Sequence, residues 1–313
     1  TEHKSPTTMK STFFFFVLAI LACAATAHKY VLDDALISAI NSDPTSSWTA
    51  GRNAIFEGMT LEEAKRFLGA PIKPITEATP ITIHAEQIPD SFDSRDQWPG
   101  CIHPIRDQAQ CGSCWAFAAS EVLSDRFCIA SNGATNLVLS PQAMVSCDKS
   151  NYGCQGGYLD LSWNYMARTG IPTDECYPYT SGGGATGTCK TECADGSPFV
   201  MYKAKTGSIV TPTDPESIQT AIQTGGPVEA GFYVYNDFFS YKSGVYQHKS
   251  GSLAGGHAIK VIGWGVDDAS KLPYWIVANS WGSTWGMNGY FWMLRGKNEC
   301  NIEAWTITGD ADV

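Results

Sequence analysis

Gln108-Ala-Gln-Cys-Gly-Ser-Cys-Trp-Ala-Phe117 decides how the chain is read. After Cys114 come Trp115, Ala116, Phe117, Val122, Leu123 and Phe127, an apolar spacing that suits a buried helix. The spacing predicts a helix from Cys114 to about Ala130. In its first turn the backbone N–H groups have no intrahelical partner, and the positive end of the helix dipole faces the Cys114 sulfur. Such a site favours the thiolate, the nucleophilic form of cysteine. Gln108 stands six positions before this cysteine.

Working outward, His257 lies 143 residues on, in Gly255-Gly-His-Ala-Ile-Lys260, and Asn279 follows in Val277-Ala-Asn-Ser-Trp-Gly282. A cysteine and a histidine can exist as thiolate and imidazolium, each ion stabilising the other, so that the sulfur attacks at mildly acidic pH. Asn279 would accept the second ring N–H and orient the imidazole, as an acid does in serine triads. Trp281 and Trp285 would shield that bond from water. Gln108 would donate its side-chain amide to a developing oxyanion, together with the Cys114 backbone N–H. Taken singly, these residues more often become half-cystines, core or loop histidines, or turn residues. Three motifs in this order and at these distances outweigh that.

The motifs resemble the papain-type signature, Cys-Gly-[Ser/Ala]-Cys-[Trp/Tyr] with His and Asn about 130–150 residues later. Ile88-Pro-Asp-Ser-Phe-Asp-Ser-Arg-Asp-Gln-Trp98 is similar to the mature N-termini of cathepsin B, and the likeness continues to Val313. It extends more loosely over the short segment before it, through Trp48-Thr-Ala-Gly51. The resemblance implies an α+β, papain-like peptidase with a helical lobe, a β-barrel-like lobe and a cleft between them. It implies no metal or organic cofactor. As partners it implies peptide substrates, the chain's own propeptide as intramolecular inhibitor, and cystatin-like inhibitors, acting on a monomer. It places Gly156, Gly157, Ala258, Trp281 and Trp305 against substrate. It also pairs Cys101 with Cys128, Cys111 with Cys154, Cys147 with Cys189 and Cys176 with Cys193. From the sequence alone the pairing stays open.

Composition sets the bounds. With 313 residues, 43% of them hydrophobic, the chain can bury a full core. A formal net charge of −10 and no Lys/Arg cluster argue against nucleic acid as partner. No phosphate-binding glycine loop, HExxH helix or EF-hand pattern is present. Eleven cysteines point to an oxidising compartment; setting aside Cys23 in the leader leaves ten, enough for four disulfides, a nucleophile and a spare thiol.

In order, residues 1–8 read as an upstream remnant and 9–27 as a signal peptide, with the apolar run Phe13–Ala22 ahead of Ala25-Thr-Ala27. The alternative is an uncleaved anchor; otherwise the mature protein is expected to be soluble and to reach a lysosomal, endosomal or extracellular destination. Residues 28–87 read as a propeptide with two short helices and an extended tail, and 88–313 as the peptidase, helix-rich to about 198 and strand-rich after it. His103 and His248 read as surface residues.

Two departures from cathepsin B bear on specificity. Tyr158 to Cys193 is short and holds no histidine, where cathepsin B carries a loop whose histidines bind a substrate's C-terminal carboxylate. Five residues beyond Cys300 stands Trp305, where cathepsin B has an acid. The expectation is an endopeptidase with an apolar pocket for the second residue before the cut (P2). Two other readings compete. Cys111-Gly-Ser-Cys114 is also the spacing of a thiol–disulfide oxidoreductase, which would leave His257 and Asn279 unexplained. A catalytically dead binding protein would normally lack one of the four active-site residues.

Overall fold

The computed structural model describes residues 1–3, 30–73, 75–76, 78–83 and 85–313; the expected leader, with Cys23, lies outside them. Asp33 caps α1 (Asp34–Ser42) by accepting the Ala35 and Leu36 N–H groups. β1 (Trp48–Ala50) follows, then α2 (Leu61–Ala64). Thr60 and Glu63 form a capping box at the start of α2, and a 3₁₀ turn over Lys65–Phe67 extends it. β2 (Thr79–Ile81), β3 (Phe92–Asp93) and α3 (Ser94–Gln97) lead to α4 (Cys114–Ala130). The helix has the bounds its apolar spacing predicts.

Around α4 the helix-rich lobe assembles from α5 (Pro141–Cys147) and α6 (Leu159–Arg168). Ser140 caps α5 through the Ala143 N–H, with Pro141 in the first turn where no hydrogen bond is lost. Trp115, Leu123, Phe127, Met144, Val145, Trp163 and Met166 pack into one core. Disulfides Cys101–Cys128, Cys111–Cys154, Cys147–Cys189 and Cys176–Cys193 tie the loops of this lobe together. Cys114 and Cys300 are the free cysteines among the described residues.

The rest is β4 (Val210–Pro212), α7 (Pro215–Gly225), β5 (Val228–Tyr235), β6 (Tyr241–Tyr246), β7 (Leu253–Val266), β8 (Pro273–Ala278), β9 (Tyr290–Leu294) and β10 (Thr306–Ile307). The main sheet runs β1-β6-β9-β8-β7-β5-β10, with β3 paired to β7. Its core is aromatic: Phe232, Phe238, Phe239, Tyr241, Trp264, Trp275, Trp281, Trp285 and Phe291. β2 pairs separately, in parallel, with β4.

The structure adds three things that the sequence reading lacked. Trp48–Ala50, expected only as a lead-in to α2, is an antiparallel edge strand on β6. The chains approach closely at Gly244, where an added Cβ would lie 2.5 Å from the Ser47 carbonyl oxygen. Trp48 then sits against Tyr246 (5.0 Å between ring centroids) and Tyr241 (6.0 Å), and its indole N–H donates to the Gln247 carbonyl. α7 interrupts a stretch read as strands, and Asp214 caps it ahead of Pro215.

Third, α4 carries charge through its buried face. Lys260 on β7 places Nζ 2.7 Å from Asp125 Oδ2 and 3.7 Å from Glu121 Oε2, with all three side chains buried. Burial works against the Lys260 charge, but attraction to Asp125 and Glu121 outweighs it and raises its pKa. His103 joins the cluster, with Nδ1 2.7 Å from Asp125 Oδ1 and Nε2 2.9 Å from Asn136 Oδ1. His248 is half-buried, stacked on Tyr235 at 3.7 Å and paired with the buried Asp237. Neither histidine is the surface residue expected, because each has a buried carboxylate to hold it.

Candidate active site

The site forms where the N-terminus of α4 meets β7. Cys114 is the first residue of α4 and is fully buried. Its sulfur accepts backbone hydrogen bonds from Ala258, Gly69 and Trp115, so it lies beside the His257–Ala258 peptide. His257 sits mid-strand in β7, opposite Phe232 of β5, and is fully buried. Its Nε2 is 2.7 Å from Asn279 Oδ1. The same Oδ1 accepts the Ser280 N–H at 2.8 Å, which fixes that atom as the oxygen and makes His257 Nε2 the donor. Nδ1 is left without a hydrogen-bond partner, and its lone pair is free for a proton. Trp281 covers the imidazole with ring centroids 4.7 Å apart, and Trp285 backs Trp281 at 5.1 Å.

Gln108 is buried rather than exposed, and every polar group it has is held. Its N–H donates to the Ser280 carbonyl (2.9 Å), and its Oε1 accepts the Ser280 hydroxyl (2.7 Å). Its Nε2 donates to Cys111 O (2.8 Å) and Phe67 O (3.0 Å), and its carbonyl accepts the Tyr179 hydroxyl (2.8 Å). The amide therefore has one fixed direction, towards the start of α4.

The cleft is filled by the chain's own residues 67–70. Gly157 N–H donates to Gly69 O at 2.8 Å, and Ala70 N–H donates to Gly256 O at 3.1 Å. The approach is between bare backbones: an added Cβ on Gly69 would lie 2.0 Å from Gly112 O, and one on Gly256 would lie 2.2 Å from Ala70 O. Gly156 borders the same track, with Gly69 O 2.8 Å from the place of its missing Cβ. Gly157 backs onto Trp115, whose ring would be 2.4 Å from a Cβ there. Beyond Ala70, Trp305 packs on Gly231 and on Tyr233, 6.2 Å between rings, in one apolar cluster with Ala258 and Ala70. Glu303 is committed elsewhere, accepting Trp275 Nε1 and the Gly296 and Asn298 N–H groups.

Covered in this way, the Cys–His pair is driven towards its neutral form. Burial pushes the Cys114 thiol up to about 12, against the pull of its three backbone donors. Burial also lowers His257 to about 4, partly offset by Asn279. The full-length chain is therefore expected to react slowly with iodoacetamide at Cys114 near neutral pH, and faster only as pH rises towards the thiol's own value. Freeing the cleft hydrates both groups and should bring the reactive range down to mildly acidic pH. Equal alkylation rates before and after removal of residues 28–87, at every pH, would contradict this.

Sequence reasoning missed three contributors. Tyr179 and Ser280 hold Gln108, and nothing in the sequence distinguishes their hydroxyls from others. Glu229 on β5 is fully buried and accepts Trp163 Nε1 at 2.7 Å. Burial holds its carboxyl well above the usual range, and any negative charge on it pushes the Cys114 thiol up. No cluster of His, Cys, Asp or Glu able to hold a metal occurs among the described residues.

Comparison with known proteins identifies the family. Residues 88–309 match the model of the papain family cysteine proteases. Cathepsin B-like CP3 of Giardia intestinalis is 46% identical over 268 residues, covering 84% of this chain and 89% of that one. Cathepsin B-like cysteine proteinase 4 of Caenorhabditis elegans is 39% identical, over 94% and 98% of the two chains. Among solved structures, procathepsin B S9 from Trypanosoma congolense superposes with a TM-score of 0.84 at 37% identity, over 91% of this chain and all of that one. The digestive procathepsin L2 of Tenebrio molitor gives 0.70 at 30% identity, over 84% of each chain. The chain belongs to the papain family of cysteine proteases, and within it is cathepsin B-like.

Proposed function

We propose that the protein is an endopeptidase made as a zymogen, with residues 28–87 as the inhibitory segment and Cys114, His257, Asn279 and Gln108 as the catalytic group. Cys114 attacks the peptide carbonyl while its proton passes to His257 Nδ1. The oxyanion is met by Gln108 Nε2 and the Cys114 N–H. His257 then returns the proton to the leaving amine, and water hydrolyses the thioester, releasing the acid and restoring the thiol. Asn279 keeps Nε2 protonated throughout, so that Nδ1 is always the nitrogen that exchanges the proton.

The observation that carries the reading is the path of residues 56–70. Phe56 packs on Trp281 (5.2 Å), Phe67 O occupies Gln108 Nε2, and Ala70 reaches Trp305. With Trp281 on the leaving-group side and Gly157 and Trp305 on the acyl side, the segment runs opposite to a substrate. The sulfur therefore meets the Gly69 N–H, not an electrophilic carbonyl carbon. A segment that fills the site and presents a donor to the nucleophile is an inhibitor.

The segment from Tyr158 to Cys193 supports endopeptidase action. Its loop over Ser181–Gly183 is tied down by Gln142, whose Oε1 accepts the Thr180 and Ser181 N–H groups, and it carries no histidine. Trp305 supports an apolar P2 residue, since Glu303, the nearby acid, is already hydrogen-bonded elsewhere. Four disulfides and the relatives support a secretory or lysosomal route, with an acid compartment as the working site. The test compares matched peptides on the processed enzyme. A peptide amidated and extended beyond the cut should show the higher kcat/KM, and P2 Leu or Phe should outrank Arg. Strong preference for a free carboxylate two residues past the cut, or for P2 Arg, would overturn the respective part.

A further inference from the structure

We propose that the Tyr179 hydroxyl is a positioning group for the oxyanion hole, clamping the two ends of the 108–113 loop so that its two donors keep a fixed separation. The inference deepens the acyl-transfer reading above and rests on it.

The two donors, Gln108 Nε2 and the Cys114 N–H, stand at opposite ends of a short loop. That loop contains a left-handed residue, Ala109 (φ 50°), and a bend over 110–112, with neither helix nor strand, so it has little regular structure of its own. Tyr179 reaches both ends with one atom. Its hydroxyl lies 2.8 Å from the Gln108 carbonyl and 2.9 Å from Ser113 Oγ. A carbonyl can only accept, so the single phenolic hydrogen goes to Gln108, and Ser113 donates to the phenol oxygen. The chain of donation runs Ser113 to Tyr179 to Gln108, and each hydrogen bond polarises the next.

Tyr179 is itself held. Its ring stands edge-on to Phe117 in the first turn of α4, with centroids 4.7 Å apart. The following residues are fixed through Gln142, and Gly182 O accepts the Gln110 N–H at 3.0 Å, a second tie to the same loop. Burial raises the phenol to about 12, so it stays a donor at every pH at which the enzyme works. Ser113 is the N-cap residue of α4 but makes no side-chain cap bond, and its hydroxyl lies nearer the phenol oxygen (2.9 Å) than its other acceptor, the Cys111 carbonyl (3.4 Å).

The Ser280 hydroxyl fixes the Gln108 side chain, whereas Tyr179 fixes its backbone. Donors preorganised at a set spacing stabilise the tetrahedral oxyanion, not the ground-state amide. Loss of the clamp should therefore appear in kcat and not in KM.

The test is a double-mutant cycle on the processed enzyme, combining Tyr179→Phe with Gln108→Ala. Tyr179→Phe should lower kcat about 5- to 20-fold with KM changed less than about twofold, as expected for one lost positioning hydrogen bond. In the Gln108→Ala background the same change should cost less than about twofold, because one of the two donors is already gone. The rate of Cys114 alkylation should be the same in all four proteins, since the thiolate depends on His257. Equal losses in both backgrounds, or slowed alkylation in Tyr179→Phe, would overturn the proposal by showing a general structural role. If Tyr179→Phe does not fold, Ser113→Ala, which removes the other end of the clamp, enters the same cycle with the same criteria. Failure of the underlying reading looks different: Gln108→Ala alone would then leave kcat unchanged, instead of lowering it on the order of 100- to 1,000-fold.

Discussion

Cys114→Ala is expected to abolish peptide hydrolysis, with kcat falling on the order of a million-fold, the scale at which removal of a triad nucleophile acts in other peptidases. The loss is this large because the remaining groups have nothing to activate. His257 can accept a proton only from a nucleophile placed beside it, and the oxyanion donors meet a carbonyl only once it is attacked. The fold should survive, since Cys114 makes no disulfide and alanine suits the first turn of a helix. Circular dichroism and thermal unfolding should therefore match the parent, and an irreversible thiol-directed epoxide should leave no adduct. Measured activity within a hundredfold of the parent would mean that another residue carries the reaction.

Asp125→Ala is expected to cost about 3–5 kcal/mol of stability, the usual effect of stripping one partner from a buried ion pair. Lys260 would keep its charge in the interior with Glu121 as its remaining carboxylate, at 3.7 Å instead of the 2.7 Å of the lost partner. Burial already raises the Glu121 pKa, so that carboxylate is poorly placed to take over. The pair also joins α4 to β7, the two elements that carry Cys114 and His257, so activity should fail before the protein fully unfolds. Urea denaturation of the processed enzyme measures the loss. Replacing both partners, Asp125→Leu with Lys260→Met, should recover part of it, because the buried ammonium is gone and Glu121, whose pKa burial already raises, can hold a proton, while His103 still lacks its acceptor. A double variant as unstable as the single one would show that the pair acts through something other than its charge.

The group proposed as catalytic is legible in the sequence because its chemistry is local. Cys114 opens a helix whose apolar run is unmistakable, and His257 and Asn279 sit in short motifs at a set distance. The same holds for α1 and α2, where Asp33 and Thr60 mark the helix starts. Trp48–Ala50 was not legible as a strand, because three residues beside a glycine become one only when the edge of β6 is there to pair with. α7 was readable in principle: Asp214 before Pro215 is a helix start, outweighed by the β-rich texture on either side. The groups that support the site are a different case. Lys260, Asp125, Tyr179 and Glu229 act through partners 66 to 135 residues away in sequence, and no local pattern marks a residue whose importance lies in such a partner.

The track that holds residues 67–70 is walled by Gly112, Gly156, Gly157 and Gly256, and grips backbone rather than side chains. Backbone is the one feature that an inhibitor and every substrate share. A side chain introduced at Gly112, Gly156 or Gly256 would push on residues 68–70 and narrow the track in the same stroke, whereas one at Gly157 would strike Trp115. Dormancy and breadth of diet are thus coupled there, and neither can be adjusted alone. Tuning dormancy alone has to happen at a distance, at Trp48, whose strand ties the segment to the edge of β6.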